Sequence, residues 1–437
     1  MKEIRMDPRD FIRPPFRRCP TCQSEGYGVL GIHDHQYTRR CRDCWRTDTI
    51  PLPELSKKVA YLDQFAISNM MKAINPRTKA KKEGRVDPVW FDLFQEIDSL
   101  CKLQVLCCPD SFMHSRESMT SPFGGDLRRM YKALSHGVSF LPPEDIRRQQ
   151  ILEHARWWMS GAVEPYEPSC DRDIALRSSV DVWQERYIIT LQFTDPPDWI
   201  AAERRARDAT AESIAKVFER WQTEQGRDFD YWYRQELQGF KTGILSQHRS
   251  FHADALQIGL GLKAPELEHL LPPEGVVLIS SLHQLFLDQG VPAEDLWPKT
   301  LEYFNVDVPG RAPFNKISAM LWASIARKAA NGQRRPPSRG TVVDIDVLST
   351  LLPYCDAMLV DNECRAFLRE EPLKSELRYK TKVFSMNSLN EFLAYLRELR
   401  AGIPDVHLDL VHEVYGEGWE RPFLGMYDGD SGQGGEA

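Results

Sequence analysis

Four of the ten cysteines in this 437-residue sequence fall in two tight pairs. Cys19-Pro-Thr-Cys22 and Cys41-Arg-Asp-Cys44 make a C-x2-C, x18, C-x2-C arrangement, which lets two turns converge four thiolates on a tetrahedral Zn²⁺. Gly26, Gly28 and Gly31 permit the tight turns that a small ribbon folding around its metal requires. His33 and His35 lie between the pairs, but four cysteines already complete the shell. Arg39, Arg40, Arg42 and Arg46 surround the second pair together with Tyr37 and Trp45. Such a mixture suits phosphates and stacked bases, with Arg39 and Arg40 as the contacts, and equally suits the solvation of a module with little core. The other cysteines, Cys101, Cys107, Cys108, Cys170, Cys355 and Cys364, show no ligand spacing and are expected to be small buried hydrophobes.

The second chemical feature is a set of acids beside apolar runs. Asp63 closes Lys58-Val-Ala-Tyr-Leu-Asp63 and precedes a helical pattern from Gln64 to Ala73. Leu103 to Cys108 is followed by Pro109-Asp110-Ser111, either polar residue serving to cap a helix that carries His114 and Glu117 on one face. Asp344 and Asp346 follow Gly340-Thr-Val-Val343 and open a helix over Val347 to Leu352, with Asp346 expected in its first turn. Asp361 ends the run Ala357 to Val360, and Asp356 precedes it as a candidate fifth acid behind the others. Any one of these acids is explained as a helix cap. Four carboxylates at one sheet edge would repel strongly, and a divalent cation that prefers hard oxygen ligands, Mg²⁺ or Mn²⁺, would relieve them.

The elements that must position these residues read as α/β. Val59 to Leu62, Leu103 to Cys108, Val276 to Ile279, Ala357 to Val360 and Lys382 to Phe384 are the expected buried parallel strands, each followed by a helical pattern. The spacing divides the chain into a zinc ribbon over 1–52, a first α/β part over 57–121, a helical insertion over 122–272, a second α/β part over 273–425, and a Gly-rich, disordered tail over 426–437. The tryptophans of the insertion are expected to pack between helices.

Charge is distributed unevenly. The chain carries 56 Lys+Arg against 63 Asp+Glu, net -7, yet residues 1–58 hold 12 against 8, net +4. Lys72 to Arg85 holds six basic residues, Lys79, Lys81 and Lys82 among them, against Glu83 alone, a loop suited to a phosphate backbone or simply to solvent. Arg334, Arg335 and Arg339 form another basic stretch, read as a loop because of Pro336, Pro337 and Gly340. No secretory signal and no bilayer-spanning apolar run is present, so a cytoplasmic, reducing setting and no membrane partner are expected. Phosphate-binding loops, serine-hydrolase elbows and dinucleotide fingerprints are absent.

Tyr61-Leu-Asp63 with its helix, Pro109-Asp-Ser-Phe-Met-His-Ser-Arg-Glu117, Asp344-Ile-Asp346 and Pro353-Tyr-Cys-Asp-Ala-Met-Leu-Val-Asp361 resemble the PIN-domain superfamily of metal-dependent nucleases over about 60–120 and 275–400. The resemblance implies a three-layer α/β/α fold and an RNA substrate. It assigns metal binding and catalysis to Asp63, Glu117, Asp346 and Asp361, with Asp344 a rival of Asp346. The long insertion departs from the minimal family domain and is a surface for protein partners or a second copy. The expected activity is endoribonuclease hydrolysis of phosphodiesters by a carboxylate-held Mg²⁺ or Mn²⁺ and an activated water. A DNA or flap nuclease, and a nuclease-like binding module without activity, are the competing readings.

Overall fold

The computed structural model describes residues 7–186, 195–265, 271–305 and 309–427. Two sheets organise them. The first is antiparallel, built from β1 (Arg13–Arg17), β2 (Tyr27–His33), β3 (Gln36–Cys41) and β4 (Thr47–Pro51) in the order β1-β2-β3-β4. β2 and β3 pair from Tyr27 opposite Cys41 to His33 opposite Gln36 and are joined by a two-residue turn in which Asp34 takes a left-handed φ of 49°. β1 crosses so close to β2 that the Arg13 carbonyl and the Phe16 ring occupy the place of any Cβ on Gly28.

The rest of the chain runs through β5 (Lys58–Leu62), α1 (Gln64–Ile74), α2 (Lys79–Lys82), α3 (Val89–Lys102), β6 (Leu106–Cys107), α4 (Phe112–Thr120), α5 (Gly124–Ser135) and α6 (Pro143–Met159). Next come α7 (Pro197–Thr223), α8 (Phe229–Gly259), α9 (Glu274–Asp288), α10 (Leu296–Asn305), α11 (Pro313–Ala330) and α12 (Arg339–Leu351). It closes with β7 (Ala357–Leu359), α13 (Asn362–Arg369), α14 (Leu373–Glu376), β8 (Lys382–Phe384), α15 (Leu389–Ala401) and α16 (Asp405–Tyr415).

The second sheet is parallel, in the order β6-β5-β7-β8. Alternation along β5 sends Ala60 and Leu62 to one face, where they pack with residues of α1, α3, α5 and α15, and Val59 and Tyr61 to the other, where α7, α8, α11 and α12 supply the neighbours. Burial on both faces explains why the strands read as continuous apolar runs. A further apolar cluster joins α6, α8, α9 and α10.

Several expectations change. Val276 to Ile279 lies inside α9, not in a strand; a short apolar run surrounded by other helices gives no periodicity by which to tell the two apart. Of the run Leu103 to Cys108 only Leu106 and Cys107 are strand, because α3 extends to Lys102 and Gln104 adopts a left-handed φ of 62° before the chain can extend. α12 begins at Arg339, within the stretch read as a loop, with Ser338 as its cap. α5, inside the span assigned to the insertion, supplies Leu127, Met130, Tyr131 and Leu134 to the α/β core. Of the expected tail, residues 428–437 lie outside the described residues, and Tyr427 is buried with its hydroxyl donating to the Asp126 carbonyl at 2.9 Å.

The ribbon is docked, not tethered. Val29, Ile32, Tyr37 and Leu52 pack against Val411, Val414 and Tyr415 of α16 and against Trp183.

Candidate functional site

Leu62 and Leu359, the last residues of β5 and β7, are register partners. The chain leaves β5 for β6 on one side and reaches β7 and β8 on the other, so a crevice opens at these two carboxyl ends. Asp63 and Asp361 lie there. Asp63 caps α1, its Oδ1 accepting from the Gln64 N–H at 2.5 Å, and Asp361 caps α13, its Oδ1 accepting from Cys364 N–H at 2.6 Å. Capping therefore explains one oxygen of each, and fixes both side chains at the sheet edge.

Glu117 reaches the same place from α4. Ser111, not Asp110, caps that helix, accepting from His114 N–H at 3.2 Å while the His114 Nδ1 accepts from Ser111 N–H. The His114 Nε2 meets the Leu62 carbonyl at 2.9 Å, and its ring stacks between Tyr61 and Tyr131 at 5.1 and 4.3 Å. Burial pulls its pKa down to about 3. The imidazole is thus a neutral post that locks α4 against the end of β5 and aims Glu117 at Asp63; Asp110 instead pairs with Lys132 at 2.8 Å.

The fourth acid is Asp344. Its carboxylate, that of Asp361 and the Cys364 Sγ all lie within 4.8 Å of one another. Burial, first, and the charges of Asp63, Asp361, Glu117 and Glu363 push Asp344 up to about 9. Burial and the charge of Asp63 push Glu117 up to about 7, against the opposing pull of Arg207 and Arg116. Asp63 rises to about 6 through burial and the nearby Asp361. Three crowded, half-buried carboxyls thus resist losing their protons, because burial and their neighbours' negative charge both disfavour the ionised form.

Asp346 does not join them. Two residues along a helix is a turn of about 200°, and since α12 starts at Arg339 rather than at Asp346, the pair straddles the helix. Burial raises Asp346 to about 6, while Arg147 and Arg116 oppose the rise. Asp356 is corrected as well: it precedes β7, at the opposite sheet edge from the crevice, where it pairs with Lys58 at 2.8 Å and accepts from the Val59 N–H at 2.9 Å.

Among the basic candidates, Arg39 is buried, donates to the Pro15 and Glu413 carbonyls at 3.0 and 2.8 Å, and stacks on Tyr27 and Tyr37. It ties the ribbon to α16 and is closed to a ligand. Arg40 lies over the Trp45 ring at 4.7 Å. Lys81 and Lys82 are exposed on α2, which follows the far end of α1, a helix of eleven residues about 16 Å long whose cap is Asp63. Arg334 and Arg335 are exposed just ahead of α12; the side chains of Lys79 and Arg339 lie outside the described residues.

In the ribbon, Cys19 Sγ lies 3.5 Å from Cys44 Sγ and Cys22 Sγ 3.6 Å from Cys41 Sγ, and all four Sγ atoms lie within 4.8 Å of one another. A tetrahedron with Zn–S bonds of ~2.3 Å has edges of ~3.8 Å, so this cluster can hold a metal such as zinc. All ten cysteines are free thiols.

Two neighbours of the acids carry no signal in the sequence. Arg116, adjacent to Glu117, and Arg207 of α7 both donate to Glu203 Oε1, at 2.9 to 3.0 Å. The i, i+4 spacing of Glu203 and Arg207 is compatible with the pair, but nothing in it indicates that α7 folds back over α4. No family model matches the sequence, and no curated protein and no solved structure matches it either.

Proposed function

We propose that the protein is a divalent-metal-dependent nuclease of the PIN-like kind, an endoribonuclease whose active edge consists of Asp63, Glu117, Asp344 and Asp361. The observation that carries this reading is four carboxylates from four different elements at the crevice of a parallel sheet with helices on both faces, Asp344 and Asp361 within 4.8 Å of each other and of the Cys364 Sγ, and Asp63 and Glu117 close enough for their charges to be felt there. That sandwich agrees with a three-layer α/β/α architecture. Hard oxygen donors with raised proton affinity suit Mg²⁺ or Mn²⁺. A cation bound there supplies Lewis acidity and an activated water for phosphodiester hydrolysis.

The chain's own contribution is positioning. The α1 and α13 caps hold Asp63 and Asp361, the His114 post holds Glu117, and the middle of α12 holds Asp344, so no acid depends on a loop. The ribbon, loaded with zinc, is structural. Ten free cysteines suit a reducing, cytoplasmic setting; no helix among the described residues is long and apolar enough to cross a membrane.

The test is cleavage of single-stranded and structured RNA, with DNA alongside at one stated salt concentration, in Mn²⁺ and in Mg²⁺. Asp63→Asn is expected to lower the rate at least ~100-fold while leaving the circular dichroism spectrum unchanged. Equal rates in the variant and the wild type would sink the assignment, and preferential cleavage of DNA would move it to a DNA nuclease.

A further inference from the structure

Asp346, turned away from the acid edge, lines a different space. A cavity of about 200 Å³ lies among α6, α8, α11 and α12, and Asp346 of α12 and Glu236 of α8 both belong to its wall. α11 packs against α8 and against α12, so the two carboxylates reach the cavity from helices that flank it. Neither carboxylate has a hydrogen-bond or ion-pair partner among the described residues. Burial pushes Glu236 up to about 7, only Arg220 pulls the other way, and the charge of Asp346 does not act on it. The two acids therefore stand apart and do not share one ion.

The balance of charge is negative. Arg147 is the only cation among the described lining residues, and it donates to Glu274 at 3.0 Å while lying over the Phe314 ring at 3.7 Å. Two carboxylates against one guanidinium leave the wall with an excess of negative charge, and Glu274, outside the wall, already matches that guanidinium. Carboxylates held in a cavity without partners are costly, and a ligand that brings positive charge to each of them relieves that cost. Much of the remaining wall is carbon, from Leu237 and Phe240 of α8 and Ala319 and Trp322 of α11, and such a surface suits methylene groups. At ~30 Å³ per heavy atom, the share a water takes in the liquid, the cavity holds roughly six or seven heavy atoms.

We propose that this cavity binds a short aliphatic diamine, with one ammonium on Glu236, the other on Asp346, and the methylene chain along the apolar wall. Two separated acids select a ligand charged at both ends, and the volume excludes a nucleotide. The site is independent of the nuclease reading, because none of Asp63, Glu117, Asp344 and Asp361 lines it.

The experiment is calorimetric titration of the full chain at pH 8, above the pKa of about 7 at Glu236, where alkylammonium groups, with a pKa of ~10, stay charged. The titrants are 1,4-diaminobutane, 1-aminobutane, which keeps the chain and one ammonium, and Mg²⁺, all at one stated ionic strength. The wild type is expected to bind the diamine at least ~10-fold more tightly than the monoamine, as one further charge-assisted bond implies. Glu236→Gln should abolish that advantage and leave Mn²⁺ affinity within about threefold of wild type. Ser318→Leu, which fills the cavity from α11 and keeps both carboxylates, should weaken both amines; it decides the matter if Glu236→Gln fails to fold. Equal affinity for the two amines, no detectable diamine binding, or unchanged diamine affinity in folded Glu236→Gln or Ser318→Leu protein would overturn the site. Displacement of the diamine by Mg²⁺ in Asp344→Asn protein would also overturn it, by giving the carboxylates to an inorganic cation.

Discussion

Asp344 and Asp346 are separated by one isoleucine, and at the level of single residues the site depends on which of them turns toward the crevice. The structure puts Asp344 beside Asp361 and Cys364 and leaves Asp346 among Arg147 and Arg116. Titration with Mn²⁺ should accordingly show Asp344→Asn losing at least ~10-fold in affinity and Asp346→Asn less than about threefold; the reverse order would return the ligand to Asp346. The same acids make metal-free stability depend on pH. Unfolded carboxyls ionise near ~4, whereas Glu117 and Asp344 keep their protons to about 7 and about 9. A raised carboxyl pKa lets the folded state bind more protons than the unfolded chain, so stability is lost as pH climbs from about 4 toward 9. Asp344→Asn removes most of that loss: in chelator it should melt a few degrees above wild type at pH 8 and together with it at pH 4. A variant that melts lower at pH 8 would show that the carboxylate is not held at the cost of stability. The acids themselves are legible in the sequence, since a carboxylate directly after an apolar run has few other places to go. Their partners are not: Ser338 forms its capping box with Thr341 where Glu or Gln is the familiar signal, so the start of α12, and with it the facing of both aspartates, is hidden.

Among the elements, the ribbon illustrates what a motif specifies and what it leaves open. Two C-x2-C pairs announce the cysteine cluster, and the cluster is present. The arginines around it suit a nucleic-acid surface or plain solvation, and Arg39 serves neither: it is committed to the Glu413 carbonyl and lies against two tyrosine rings, because an arginine on the inner face of a small sheet is covered by whatever docks there. Val29, Ile32, Tyr37 and Leu52 make that inner face apolar; burying each such side chain contributes ~1.5–3 kcal/mol as an upper bound. Removing the metal should thus reach beyond the ribbon. Purified protein should carry about one zinc per chain, and Cys41→Ser should lose it and lower the melting temperature of the whole chain by several degrees. A zinc-free wild type, or a variant with an unchanged melt, would refute the structural role. Loss of the strand expected at Val276 to Ile279 has a different cause: these four residues lie within α9, whose buried side packs against α6, α8 and α10, and so short an apolar run has no periodicity of its own to tell helix from strand.

At the scale of the whole molecule, the net charge of -7 conceals its own structure. Part of the negative sum is the crowded acid edge, and a divalent cation there should act as a stabiliser of the entire α/β body. If Mn²⁺ binds only the folded chain, a concentration 100 times its Kd adds ~2.7 kcal/mol, and the added melting temperature should grow from pH 6 to pH 8 as Glu117 gives up its proton. Equal shifts in wild type and Asp344→Asn would place the ion elsewhere. The α/β class and the helical character of the middle of the chain are legible because periodicity survives there. The folding of α7 onto α4, joined by the Arg116–Glu203 pair, is not, because it depends on packing between segments that lie far apart in sequence. One long-range contact bears on synthesis. The Arg39 bond to Glu413 spans 374 residues, so the ribbon leaves the ribosome well before its docking helix is made. At ~5–20 residues per second, the nascent ribbon waits roughly 19 to 75 s with Val29, Ile32 and Tyr37 uncovered, a window in which early metal capture and chaperone protection both count.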